Sequence, residues 1–306
     1  MLGVLEDKKE MVKAKTVQQL VHEYLKSDAF RKLGSASQND YADCLSIIAE
    51  GSGHISLKRL TVPTMQTHYN AWLKRGTYRA NKIAAIMSIL LNWGTKNNLD
   101  LFNPMSYIDK VPNPPRKVMW EPEQVKLFLD TAYSQWKWRS IGLIVHMAYE
   151  WGQRVGDMRL LTWDCIDLDK HRADLTQNKR GIDVHLPINP ALHNILTQQK
   201  ETFGFQQYVA PQIQPKDGAY KPYKKNTMYK HVNPILEAAG LPMELTAMDM
   251  RRTAITEMVE AGVDITQIKQ VSGHTNIQSL TPYIKHTFTG ASEALAQRNA
   301  FKKDKL

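Results

Sequence analysis

Cysteine is scarce: the 306 residues contain two, Cys44 and Cys165, one in each half and neither beside a CxxC or histidine partner. That scarcity excludes a disulfide framework and a thiolate zinc site, and it suits a reducing compartment. No run approaches the roughly 18 apolar residues that a membrane span needs. Met1 to Lys15 is charged and has no apolar stretch ending in a small-residue cleavage site, so no secretory leader is expected. Internal repeats and low-complexity tracts are missing as well, which excludes solenoids and compositionally disordered arrays. These absences lead to the expectation of a soluble cytoplasmic protein with no membrane partner. The length suits two domains, each with its own core.

Negative charge is also in short supply, with 40 basic residues against 30 acidic and a net charge of +10. The excess is spread evenly: 15 basic and 10 acidic residues up to Pro115, then 25 and 20 after it. A polyanion partner fits such a balance through phosphate contacts and counterion release, although basic charge alone does not establish one.

Periodicity suggests helices over most of Thr16 to Asn98. Val17, Leu20, Val21, Tyr24 and Leu25 form one apolar stripe, and Tyr41, Leu45 and Ile48 another. Turn-rich breaks are expected at Gly34 to Ser37 and Gly51 to Gly53. A longer helix from Arg79 to Asn97 would present Ile83, Ile86, Met87, Leu90 and Leu91 to a core. The stretch 103–117 holds Pro104, Pro112, Pro114 and Pro115 and reads as a semi-rigid strap. Helical patterns resume at Glu121 to Tyr133 and Ser140 to Trp151. Two alternating strands, Arg172 to Thr176 and Ile182 to Pro187, flank a basic tip, Asn178-Lys179-Arg180-Gly181. Further helices are expected over Pro190 to Thr202, Asn226 to Ala239, Thr246 to Ala261 and Ile265 to Val271. The expected organisation is a charged extension (1–15), a helical domain (16–102), a linker (103–117) and a mainly helical domain with a small antiparallel sheet and a tail (118–306).

A phosphodiester under attack gathers negative charge on its nonbridging oxygens, so it calls for fixed donors, a nucleophile and a proton donor. Arg251, His274 and Tyr283 are residues of those types. Taken singly, the candidates have ordinary readings. Arg154 with Asp157, at the start of a helix expected over Asp157 to Leu161, could be a near-neutral surface ion pair. Lys179 could be a solvated turn lysine, His274 a capped or core histidine, and Tyr283 one of twelve tyrosines that mostly pack. Their order and spacing set them apart. Gly152-Gln153-Arg154-Val155-Gly156-Asp157 is followed by Lys179 in a hairpin, and Asp249-Met250-Arg251-Arg252-Thr253 by Gly273-His274, with Tyr283 nine residues later.

This set resembles the tyrosine recombinase, or phage integrase, family, from about Arg116 to Tyr283. The N-terminal helices look like that family's SAM-like core-binding domain. The resemblance implies a C-terminal tyrosine recombinase catalytic domain in which Arg154, Lys179, Arg251, His274 and Tyr283 are catalytic and Asp157 supports Arg154. It further implies cleavage and rejoining of DNA through a 3′-phosphotyrosyl ester and a Holliday junction, with no metal or other cofactor. Its implied partners are double-stranded DNA attachment sites, a homotetramer with the tail docking in trans, and accessory DNA-bending or directionality factors. In a bacterial host the protein would be nucleoid-associated. One position departs: Met248 stands where the family has His or Lys, and a thioether cannot donate to a phosphate oxygen. The neighbouring Arg252 is a candidate to compensate, although it points about 100° away on a helix. Alternatively Met248 is simply a core residue on the helix face. The tail from Gly290 to Phe301 reads as a short helix with Ala291, Ala294 and Leu295 on one side, docked on a neighbour or on its own domain. Two further readings stay open: a DNA-binding protein on a scaffold impaired by Met248, and a type IB topoisomerase.

Overall fold

The structure is a computed structural model that describes residues 13–114, 116, 118–178, 181–283 and 288–303. The chain divides into two compact units, Met1–Arg116 and Lys117–Leu306.

Among its described residues the first unit holds five α-helices. Helix α1 (Val17–Lys26) starts at a capping box between Thr16 and Gln19, which satisfies backbone N–H groups that the first turn leaves without partners. Its buried face is Val17, Leu20, Val21 and Tyr24, residues at helical spacing. A short α2 (Asp28–Arg31) leads to α3 (Ser35–Ser52). α3 runs through the break expected at Gly51, because Ser52 is buried and Gly53 still donates to the Ala49 carbonyl at 2.9 Å. α4 (Val62–Leu73) and α5 (Thr77–Lys96) follow, and α5 buries Ile83, Ile86, Met87, Leu90 and Leu91. The start of the proline-rich stretch is tied to these helices. Asn103 donates to the Ser88 hydroxyl at 2.9 Å, the Asp109 amide to Gln66 Oε1 at 2.7 Å, and the Val111 amide to the Tyr69 hydroxyl at 2.8 Å.

The second unit is mainly helical around a three-stranded antiparallel sheet. α6 (Pro122–Tyr133) is followed by α7 (Arg139–Glu150), in which Ile141, Leu143, Ile144, Val145, Met147 and Ala148 are all buried. A helix apolar on nearly every side must lie inside its domain. α8 (Val155–Met158) begins two residues earlier than the helix expected from Asp157, because Arg154 itself is the extended N-cap and its carbonyl receives the Asp157 and Met158 amides. The sheet adds a strand that the alternation did not reveal: β1 (Ile166–Asp167) pairs with β2 (Arg172–Gln177), which pairs with β3 (Ile182–Pro187). Two residues are too few to show a period. Along β2 burial alternates, with Ala173, Leu175 and Gln177 facing inward. α9 (Pro190–Phe203), α10 (Tyr229–Ala238), α11 (Met250–Glu260), α12 (Ile265–Ser272) and α13 (Phe288–Lys303) complete the chain. Among the described residues no helix is long and apolar enough to cross a membrane. In α13 Leu295 is exposed, while the side chains of Ala291 and Ala294 lie outside the described residues.

Three features steer the arginine-bearing segments. Trp120 is 2 % exposed; its amide donates to Thr253 Oγ1 at 3.1 Å and its indole N–H to the Thr246 carbonyl at 3.0 Å, bracketing the start of α11. The Tyr149 hydroxyl of α7 donates to Glu257 of α11 at 3.1 Å. Gly273 ends α12 at φ +66°, where a Cβ would lie 2.5 Å from Gln177 Nε2.

Gly273→Ala meets both the left-handed backbone and the glutamine amide, so we expect a loss of about 1–3 kcal/mol in denaturant unfolding; an unchanged midpoint would contradict the close approach. Burial pushes the Glu257 carboxyl up from its ordinary range, as do Glu260, Glu150 and Glu121, against the opposing bond from Tyr149. The folded state therefore holds this proton more tightly than the unfolded chain, and that contribution is lost as pH rises through the folded pKa. Glu257→Gln should be more stable than the parent at pH 7, with the gain vanishing below the ordinary carboxyl range. A gain that grows on acidification would refute this.

Candidate active site

Arg154 leaves the end of α7 through a turn in which Gly152 has φ +55°, and it takes an extended backbone before α8. Its Nη1 donates to Gln177 Oε1 at 2.9 Å and lies 3.6 Å from Asp157 Oδ2. The second distance is a charge contact rather than a hydrogen bond. Asp157, 6 % exposed, has another duty: its Oδ1 accepts from the amide and the side-chain nitrogen of Asn178 at 3.2 and 3.1 Å. The expected brace for Arg154 is therefore shared, with Gln177 making the shorter bond.

Gln177 is fully buried and sits at the inward end of β2. Its Nε2 donates to Gln153 Oε1 at 2.6 Å and to the Ser272 carbonyl at 2.9 Å. Gln153, also fully buried, donates to the carbonyls of Trp151 and Val271 at 2.9 and 2.6 Å. These polar groups lie where water cannot reach, so each must find its partner inside the protein.

Beyond Ser272 the chain turns at Gly273 and presents His274. The Ser272 hydroxyl lies 2.7 Å from His274 Nδ1, and Arg251 Nη2 is 3.3 Å from Nδ1 and 3.2 Å from Nε2. Guanidinium only donates, whereas a hydroxyl donates or accepts, so Ser272 suits either tautomer of the ring. Arg251 and His274 are both buried. The Tyr283 ring centroid is 6.3 Å from that of His274. Tyr283 sits on a 3-10 turn, Thr281–Tyr283, against the small apolar cluster of Ile255, Ile268 and Leu280.

The structure thus brings together Arg154, Asp157, Arg251, His274 and Tyr283. Lys179 and Arg180 lie outside the described residues. Met248 is not the core residue considered above. It is 73 % exposed on the 3-10 turn Ala247–Asp249, which Thr246 and Asp249 close with a capping box; Ala247 and Asp249 of that turn are buried while Met248 faces outward. Gln153, Gln177 and Ser272 were not singled out from the sequence. The available signal was Gln177 itself, a polar residue at an inward position of an alternating strand.

Likeness to known proteins agrees with this geometry. The model of the Phage integrase family matches residues 119–289. No curated protein matches the chain by sequence. A lambda integrase fragment solved as a dimer bound to a COC′ core site superposes with a TM-score of 0.75 at 17 % identity, covering 89 % of this chain and 99 % of that one. Lambda integrase solved as a tetramer bound to a Holliday junction gives 0.73 at 16 %, covering 89 % and 78 %. The Tn1549 transposon integrase in complex with circular intermediate DNA gives 0.74 at 15 %, covering 92 % and 99 %. At such identities these likenesses show a shared fold. The family match spans more than half of the chain, and the chain belongs to the phage integrase family of site-specific tyrosine recombinases.

Proposed function

We propose that Tyr283 attacks the scissile phosphate of a double-stranded DNA attachment site, in the integration or excision of a phage or other mobile element. The Tyr283 oxygen bonds to phosphorus, the bond to the 5′-oxygen breaks, and a 3′-phosphotyrosyl ester and a free 5′-hydroxyl result. The observation that carries this reading is the cluster of Arg251 and His274, 3.2 Å apart, with the Tyr283 ring 6.3 Å from the imidazole.

The roles follow from chemistry. A free phenol with a pKa near 10 is only about 0.1% ionised at pH 7, equivalent to roughly 4 kcal/mol, so the nucleophile needs help. Arg154, Arg251 and His274 offset charge on the pentavalent phosphate, and their field favours the phenolate. Lys179 supplies the proton to the leaving 5′-oxygen, a task suited to an ammonium that stays protonated at neutral pH. Asp157 acts on Arg154 and on the end of the hairpin. No metal or other cofactor enters these steps. Reversal by a 5′-hydroxyl from another duplex joins new partners, and the stored ester conserves the bond energy.

The DNA-bound states of the similar structures support the larger assembly: a core site and a Holliday-junction tetramer for lambda integrase, and circular intermediate DNA for the Tn1549 enzyme. By that analogy this chain acts as a homotetramer, with the helical first unit as a DNA-binding domain and a proline-containing linker before the catalytic domain. The exposure of Leu295 favours a tail that docks in trans. Accessory DNA-bending or directionality factors and association with the nucleoid complete the proposal.

On a nicked suicide substrate containing the attachment site, the parent should accumulate a covalent complex even in EDTA, whereas Tyr283→Phe should form none. Absence of the complex from the parent would remove the proposed chemistry. Met248 specifically favours a slowed reaction, since one donor of roughly 2.7–4 kcal/mol is missing from a solvent-facing turn. Met248→His should raise the cleavage rate at least about tenfold, and by no more than the roughly 10²–10³ that one donor supplies. An unchanged rate would show that this position does not reach the phosphate.

A further inference from the structure

The polar chain behind the candidate site has only one consistent direction. Gln153 Nε2 faces two backbone carbonyls, at Trp151 and Val271, so its Oε1 must be the end turned toward Gln177. Gln177 therefore presents its nitrogen to Gln153 Oε1 and to the Ser272 carbonyl, and both of its amide hydrogens are used. Its Oε1 is left facing Arg154, whose guanidinium can only donate. A reversed amide would set oxygen against two acceptors and nitrogen against a cation. The space is fixed as well: a Cβ on Gly273 would lie 2.5 Å from Gln177 Nε2 and 2.8 Å from its Cδ, so only glycine lets the turn before His274 approach so closely.

We propose that Gln177 is the positioning residue that fixes Arg154 relative to the Ser272-Gly273-His274 turn. One amide spans the gap between the two segments that hold phosphate donors, and its own backbone stands two residues before Lys179 in the sequence. Asp157 cannot do this alone, since it lies 3.6 Å from Arg154 and spends its other oxygen on Asn178. The inference rests on Arg154 and His274 acting on the phosphate. A donor displaced by about 1 Å loses on the order of 10²-fold in rate without losing its charge, so the effect falls on chemistry more than on DNA affinity.

The test measures single-turnover formation of the phosphotyrosyl complex at saturating suicide substrate, together with the Kd for the same DNA, per folded molecule. Gln177→Leu should slow cleavage roughly 10- to 100-fold while changing Kd less than about threefold. Gln177→Glu keeps the acceptor toward Arg154 but turns an oxygen on Gln153 and Ser272, and the same split is expected. Because Gln177 acts through Arg154, Gln177→Leu combined with Arg154→Lys should be no slower than the slower single variant. Parental cleavage by Gln177→Leu, or effects that multiply in the double variant, would overturn the proposal. So would failure of both Gln177 variants to fold, which would assign the residue to stability alone. A parent that forms no complex would instead refute the recombinase chemistry.

Discussion

A buried amide with no access to water must be met by groups of the protein, and that requirement holds the middle of the second unit together. Gln177 is completely enclosed, and the three hydrogen bonds of its side chain reach Arg154, Gln153 and Ser272, the last of them 95 residues away in the sequence. Leaving one such group unpartnered costs roughly 1–3 kcal/mol, a large share of the stability of an ordinary domain. The end of β2, the turn after α7 and the turn after α12 are therefore fixed to one another by the same atoms. Arg154 and His274 inherit their placement from that constraint.

The other side of the site depends on packing. α7 is buried all round and supports α11 through the Tyr149–Glu257 bond, while Trp120 grips the residues on both sides of the Ala247–Asp249 turn. Arg251 projects from the first turn of α11 to His274, and Tyr283 rests on Ile255, Ile268 and Leu280. The nucleophile candidate thus approaches on a short turn over a small apolar cluster, whereas the phosphate-binding candidates sit on better-braced elements. Such a division suits a reaction in which the tyrosine must engage and release DNA while the donors stay in place.

Much of this was legible in the sequence because it is local. Apolar stripes located α1 and α5, helical patterns were read over α7 and α11, and period-two alternation located β2 and β3. Arg154, Arg251, His274 and Tyr283 stood out by order and spacing, without any knowledge of contacts. What stayed hidden depends on residues distant in the chain. Gln177 binds Ser272 across 95 positions, and no local pattern announces that partner. β1 is two residues long, so it carries no period. Met248 lies three residues before Arg251 and looked compatible with a helix face, yet the stretch closed by the Thr246–Asp249 capping box is a 3-10 turn on which Met248 is exposed. The stretch 103–117 read as a proline-rich strap, but Tyr69, Gln66 and Ser88 bind polar groups of its first part, 103–111, from helices 15 to 43 residues away.

The proposed reaction esterifies one particular phenol to DNA. Digesting the trapped protein–DNA complex with protease and nuclease, then locating the nucleotide-bearing peptide by mass, identifies the esterified residue. A single modified peptide is expected, with the nucleotide on Tyr283 joined through its 3′-phosphate. A nucleotide on any other of the twelve tyrosines, or one joined through a 5′-phosphate, would contradict it.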